Sequence, residues 1–427
     1  MFKSAACLLL VAGGVASAER VTFLRPGFIA GDLSADGRAA AGNLVGPYET
    51  FRWTEATGEV RLGASTVDVL GSGAGTPDIS YDGTRISATI ITEDNQEITW
   101  GLWTEGQGWQ RIIPPMAADG RMLDLSYGSA WGLSGDGSTV TGFYWSTAGS
   151  PGTYGGARPA TWSSAAGLVG LPRDPGRSAR VNAANYDGSV VVGWEERFDG
   201  VWQPTVWRNG TKIRLSENEA FVECERVTAD GGTVVGNSLN PSTLNREPTI
   251  WTWNGASYDE QRLGVLPGTQ AIQGFGIALD VSDNAGIIGG VNFYTSSPGG
   301  PADGIIWTAD TGLVKADDYI ASLGIDIADE IHIRSVNAVS ADGSTIAVDG
   351  QHPTTGALRG AIIRLDPGCS PADLAEPYGI LDLADINAFI AGFTAQQPAA
   401  DLDGNGIYDL ADISEFVISF PEGCPGG

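Results

Sequence analysis

The chain has 427 residues, 42% of them apolar, and its 61 glycines with few long apolar periodic runs predict a large, turn-rich, all-β body. Against 24 lysines and arginines stand 51 aspartates and glutamates, a formal charge of -27. That balance leaves no surface for neutralising phosphates and argues against nucleic-acid binding; it suits solubility or cation binding.

Met1 to Ala18 combines Lys3, the apolar run Cys7 to Ala12, and Ala16-Ser17-Ala18 before Glu19. This is the pattern of a secretory signal peptide (1–18) cut after Ala18, so the mature chain is expected to be secreted, extracellular or associated with the cell surface. Nothing later in the sequence reaches the roughly 20 apolar residues that a membrane-spanning helix needs. Cys369 and Cys424 bracket the last segment and form a candidate disulfide in an exported protein, while Cys224, alone in the body, is expected to be a buried small hydrophobe.

From 19 to 365 one pattern recurs. An Asp-Gly turn stands at Asp36, Asp82, Asp136, Asp187, Asp230 and Asp342, with Asp283-Asn284 as a degenerate member. A β-branched strand follows each turn, as in Val190-Val191-Val192-Gly193, and the Asp-Gly pairs predict two-residue hairpins. A second strand then ends at Trp53, Trp103, Trp162, Trp207, Trp251 or Trp307, with Ile363 in the seventh place, and another turn and outer strand come after most of these. Four antiparallel strands repeating every 40 to 60 residues or so predict a β-propeller of seven blades, monomeric, with the spare strand Arg20 to Leu24 completing the last blade.

Ser34-Ala35-Asp36-Gly37, Phe51-Arg52-Trp53-Thr54, Leu62-Gly63 and the later Val-Val-Gly triplets resemble the bacterial extracellular HAF repeats, although no unit keeps the histidine of the naming triplet. The resemblance implies no activity. Alternating strand direction puts the Asp-Gly turns on one face and the uneven loops on the other, where function is expected. Trp145 and Trp194 lie off the repeat register near such loops and are candidate ligand-binding residues for a sugar ring. No hydrolase, zinc or phosphate-loop motif is present, so no catalytic residue is assigned; Glu195-Glu196 and Asp317-Asp318 are the acid pairs of interest should the chain be a glycosidase.

After Asp366 neither lysine nor arginine occurs, and Ile380 to Phe393 is repeated as Ile407 to Phe420, each copy a loop leading into a short amphipathic helix. Asp401, Asp403, Asn405, Asp409 and Asp412 occupy positions 1, 3, 5, 9 and 12 of a loop, with Gly406 at 6 and the Ile407 carbonyl at 7, the oxygen set of an EF-hand-type Ca²⁺ site. The first copy is irregular: Leu374 falls at position 1, and Asp373, Glu376, Asp382 and Asp385 are its possible ligands. Aspartate at position 12, the duplication, and the flanking Gly368-Cys369 and Gly423-Cys424 resemble a GC-type dockerin. That resemblance implies a cohesin-like scaffold partner, recognised through Leu383-Ala384 and Leu410-Ala411 at loop positions 10 and 11.

The sequence therefore predicts a seven-bladed all-β propeller (19–365) followed by a small all-α calcium-binding dockerin module (366–427). The expected role is non-catalytic binding or display, with extracellular polysaccharide a candidate ligand; a polysaccharide hydrolase or lyase delivered by its dockerin is the alternative.

Overall fold

The structure is a computed structural model that describes residues 20–45, 49–63, 75–91, 98–112, 128–145, 156–216, 222–296, 300–365, 372–375, 381–395, 400, 402 and 407–422. The chain divides into a large unit, Thr22–Leu365, and a smaller one containing Asp366–Gly427.

The large unit is antiparallel β-sheet. Strands within 28–61, 78–112, 128–170 and 179–214 form four separate four-stranded sheets, each in sequence order. Those within 224–315 form one eight-stranded sheet whose halves (224–262 and 275–315) touch through a single parallel pairing, Arg246 with Phe275. The last three strands (332–364) take Val21–Phe23 as their fourth, added beside Leu358–Arg364. Leu24 extends this seam, donating its amide to Gly360 O at 2.9 Å and burying its side chain against Phe28 and Leu33. One short helix, α1 (Ala316–Ser322), lies between the sixth and seventh repeats.

The Asp-Gly turns join hand to hand. Ala35 N donates to Tyr81 O (3.0 Å), Tyr81 N to Gly135 O (2.8 Å), Asp136 N to Tyr186 O (2.9 Å) and Tyr186 N to Ala229 O (3.2 Å). Ala229 N reaches Asp283 Oδ1 (2.7 Å), Asp283 N reaches Ala341 O (2.8 Å), and Asp342 N returns to Ala35 O (3.2 Å), closing a ring around one axis. This radial arrangement is that of a β-propeller.

The turns differ from the two-residue hairpins that Asp-Gly predicts. Ser34 N bonds to Ala39 O at 2.8 Å, which leaves a four-residue loop, and Gly37 alone takes a positive φ of 67°. A type I′ turn would need both central residues at positive φ. Asp36 instead accepts hydrogen bonds from Ser34 Oγ (2.7 Å) and Arg38 N (3.0 Å), and its copies at Asp82 and Asp136 do the same with Ser80 and Ser134.

The Val-Val-Gly glycines have a separate cause. Pairing between the first two strands shifts register after Ala30, Ala130, Val181, Cys224 and Ala278, whose partners are Gly42, Gly142, Gly193, Gly236 and Gly290. A Cβ on any of these glycines would lie 2.0–2.1 Å from a carbonyl oxygen of the first strand. The bulge demands glycine opposite it and turns the extra residue out of the ladder.

In the smaller unit, α2 (Leu383–Thr394) and α3 (Leu410–Glu422) pack through Phe389 and Phe416, stacked at 4.2 Å, with Phe393 and Phe420 beside them. Asp382 caps α2 in a reciprocal capping box with Asp385.

Candidate functional site

The residues expelled by the bulges meet at the axis. Gly31, Trp131, Asn182, Glu225, Leu279 and Asn337, one from each bulged repeat, together with Pro77 of the second repeat, line a cavity of about 340 Å³ that also touches Asn43, Arg226 and Asp349.

On the side of the Asp-Gly turns the axis is filled. Tyr81 and Tyr186 meet edge to face at 5.5 Å, and the Tyr81 hydroxyl donates to Asp283 Oδ1 at 2.9 Å. One layer inward, Arg226 faces three carboxylates that each stand four residues before a turn: Asp78 (2.7 Å), Asp32 (3.2 Å) and Asp280 (3.7 Å). Each aspartate also accepts an amide of the next repeat: Asp32 from Ile79, Asp78 from Leu133, and Asp280 from Val339. These carboxylates fasten neighbouring repeats while neutralising the guanidinium. Burial, the largest influence, lifts Asp32 well above the usual carboxylate range and Asp280 to about 6, against the pull of Arg226. For Arg226 the three acids outweigh burial and hold the charge in place.

Behind Trp131, which lines the cavity, lies an aromatic and basic cluster. The Arg180 guanidinium lies 3.4 Å from the centre of the Trp131 ring and 5.5 Å from Trp194, which stacks on Trp202 at 4.3 Å. Arg180 donates to Asn182 Oδ1 (2.6 Å) and pairs with Glu223, to which Asn182 also donates (2.9 Å). Glu225 is pushed up to about 8, first by burial and then by Glu223, which favours its protonated form, able to donate as well as accept.

Trp194 is buried behind Arg180, while Trp145 is half-buried and meets Phe143 edge to face at 5.5 Å; the two do not share a wall of the axial cavity. Glu195 is fully buried and held by Lys212 (2.6 Å) and Arg214 (3.3 Å), and Glu196 accepts Ser178 N (3.0 Å), so both acids are structurally engaged. Asp317 is bound by His332 (2.7 Å) and Ile333 N (3.1 Å). Cys224 is buried and free, and burial raises its thiol pKa well above the ordinary value, which suits packing rather than nucleophilic chemistry.

In the smaller unit, Asp401, Asp403, Asn405, Glu376, Cys369 and Cys424 lie outside the described residues, so the disulfide and much of both loops do too. The described position-12 aspartates are equivalent in the two copies. Asp385 accepts from Leu374, Ala375 and Asp382 amides (2.7–2.8 Å), and Asp412 accepts from Leu402 (2.8 Å) and Asp409 (2.9 Å). Ala375 thus corresponds to Leu402, which puts Leu374, a residue without a side-chain oxygen, where Asp401 stands in the second loop; Asp373 is one residue early and buried. Ile407 is exposed, as are Leu383 and Leu410 of the two pairs Leu383-Ala384 and Leu410-Ala411. Among the described residues no group of three or more His, Cys, Asp or Glu side chains is placed to hold a metal ion.

No protein-family model and no curated protein matches the chain. Among solved structures it is similar to the Swd1 (Cps50) β-propeller domain of Myceliophthora thermophila, with TM-score 0.49, 10% identity, and coverage of 81% of this chain and 99% of that one. The β-propeller domain of the trilobed protease from Pyrococcus furiosus gives 0.43, 12%, 82% and 96%. TolB from Acinetobacter baumannii gives 0.39 and 14%, covering 66% of this chain and 60% of its own.

Proposed function

We propose that this chain is an exported, non-catalytic binding protein: a seven-bladed propeller of HAF-like repeats whose axial cavity takes a small neutral polar group, such as one residue of an extracellular polysaccharide. What supports this reading is the state of the axial acids. Asp32, Asp78 and Asp280 are consumed by Arg226 and by main-chain amides; of the two acids lining the cavity, Glu225 is pushed up to about 8 by burial, and Asp349, also raised by burial, accepts from Asn337 at 2.9 Å. Burial thus disfavours charge on both acids, and such a lining suits donating and accepting hydrogen bonds more than nucleophilic attack.

The C-terminal loop–helix repeats serve, in this proposal, as a dockerin-like module. Asp401, Asp403, Asn405, the Ile407 carbonyl, Asp409 and Asp412 would hold Ca²⁺, a set of hard oxygens that fits the ion. The buried Asp412, already tied to the loop's second residue, supports closure of that loop. The exposed Leu410 and Leu383, with Ala411 and Ala384, would face a cohesin-like partner.

One observation favours the hydrolase alternative: Glu225 and Asp349 line the same cavity, and burial raises both. The test is incubation of the full chain with a panel of polysaccharides while scoring retention and new reducing ends. Retention without cleavage, abolished by Glu225→Ala, supports binding; new ends lost in Glu225→Gln establish the hydrolase. Calcium titration of wild type against Asp401→Ala/Asp412→Ala decides the second site, since unchanged stoichiometry would remove it.

A further inference from the structure

A second cavity, away from the axis, carries a different chemistry. It has a volume of about 310 Å³ and lies on the uneven-loop side of the third repeat, walled by Pro159, Leu171 and Pro175. Tyr144 and Arg158 enter it as directly opposed partners across the strands Thr139–Trp145 and Ala157–Ser163, and Arg173 enters from the segment that leads to the fourth repeat.

Two guanidiniums in one cavity are unexpected in a chain of net charge -27. Arg173 donates to Arg177 O, but the carboxylate in the lining, Asp174, is not free to answer Arg158. It is occupied by Lys212 (2.5 Å) and Arg214, which also share the buried Glu195. Arg158 Nε is buried and has no hydrogen-bond partner. A buried charged donor left unsatisfied costs about 1–3 kcal/mol or more. Burial, and then the nearby Arg158 charge, push the Arg173 pKa below its ordinary value and outweigh the opposing pull of Glu195 and Glu196. An oxyanion would supply the missing acceptor and cancel the repulsion.

We propose that Arg158, Arg173 and Tyr144 form an oxyanion subsite for the carboxylate or sulfate group of a small acidic ligand, independent of the axial cavity. The planar fork of Arg158 suits either group, and the volume admits one the size of a monosaccharide.

The experiment is calorimetric titration of the full chain with sodium galacturonate and with sodium sulfate, against sodium chloride at equal ionic strength and against neutral galactose. Wild type should saturate with at least one oxyanion, and Arg158→Gln should weaken that binding at least tenfold while the melting transition stays cooperative. Saturation by galacturonate alone assigns a carboxylate, by sulfate alone a sulfate ester, and by both a general oxyanion site. No saturable signal above chloride, equal binding of galactose, or undiminished binding by Arg158→Gln would each overturn the proposal. Should Arg158→Gln not fold, Arg158→Lys, which keeps the charge but loses the fork and Nε, decides the matter: a tenfold loss supports the subsite and unchanged affinity removes it.

Discussion

Replacing Arg226 by methionine keeps the aliphatic stem and removes the charge that Asp32, Asp78 and Asp280 share. These carboxylates are 12%, 3% and 8% exposed, so water cannot take over the role of the guanidinium. Breaking a buried pair on one side costs about 3–5 kcal/mol. The cost must depend on pH, and its sign follows from the acids. Asp280 already titrates near 6 in the folded protein against an ordinary 3.8, because burial outweighs the arginine. A carboxyl raised on folding contributes stability that is fully present below about pH 4 and is lost as pH rises through its folded value. Without Arg226, which pulls both down, the folded values of Asp32 and Asp280 move higher. Each extra proton held by the folded state then removes about 1.4 kcal/mol per pH unit, or nearly 3 kcal/mol between pH 5 and 7.

Urea unfolding followed by tryptophan fluorescence at pH 5 and pH 7.5 would read this directly. Arg226→Met should lie within about 2 kcal/mol of wild type at pH 5 and fall well behind it at pH 7.5. An equal deficit at both values would mean that the arginine acts through packing alone, and the account of the axis as an electrostatic fastener would be wrong.

Four further substitutions and one deletion probe the scaffold. Gly193→Ala puts a Cβ 2.1 Å from Arg180 O and should destabilise by about 3 kcal/mol, whereas Gly170→Ala, whose nearest neighbour is Tyr144 Oη at 3.6 Å, should shift the urea midpoint little. Equal effects would refute the bulge argument. Ile272 is 70% exposed at φ 69°, a backbone that penalises β-branched side chains, so Ile272→Asn should gain about 1 kcal/mol, and a lowered melting temperature would count against strain there. Leu24→Ala, at the seam of the last repeat, should cost about 2–5 kcal/mol, and deletion of residues 19–25 should expose the 358–364 edge and give oligomers by size-exclusion chromatography; a monomeric, unchanged melt would remove the seam from the account.

Much of the fold could be read from local signals, because each reports a local constraint. An Asp-Gly pair marks a turn whatever lies across the molecule, and recurring tryptophans mark one strand in six of the seven repeats; Trp207 and Trp251 are indeed fully buried. The exact turn was missed because Asp-Gly serves two hairpin geometries, and the serine two residues ahead, whose hydroxyl binds the aspartate, selects the four-residue one. Trp145 and Trp194 stood out by being off register, yet that property alone does not say which way a ring points. Trp194 stacks on Trp202, which pairs with Glu196 two residues further along the strand and so lies on the same face of the hairpin.

The axial chemistry was invisible for a different reason. Asp32, Asp78, Arg226 and Asp280 are far apart in sequence, and none belongs to a motif. They become a group only when the repeats are aligned on their turns, where all four fall at the same position, four residues before the aspartate or its Asn284 substitute. In that column the other repeats carry Gly132, Ala183 and Ala338, residues too small to reach across the axis. One large cation, three acids and three small residues at one level of a closed ring are complementary in charge and in volume. The composition of a single column therefore carries information that no single repeat contains, and the neighbouring column of bulge residues, with Trp131, Asn182, Glu225 and Asn337, names the cavity by the same logic.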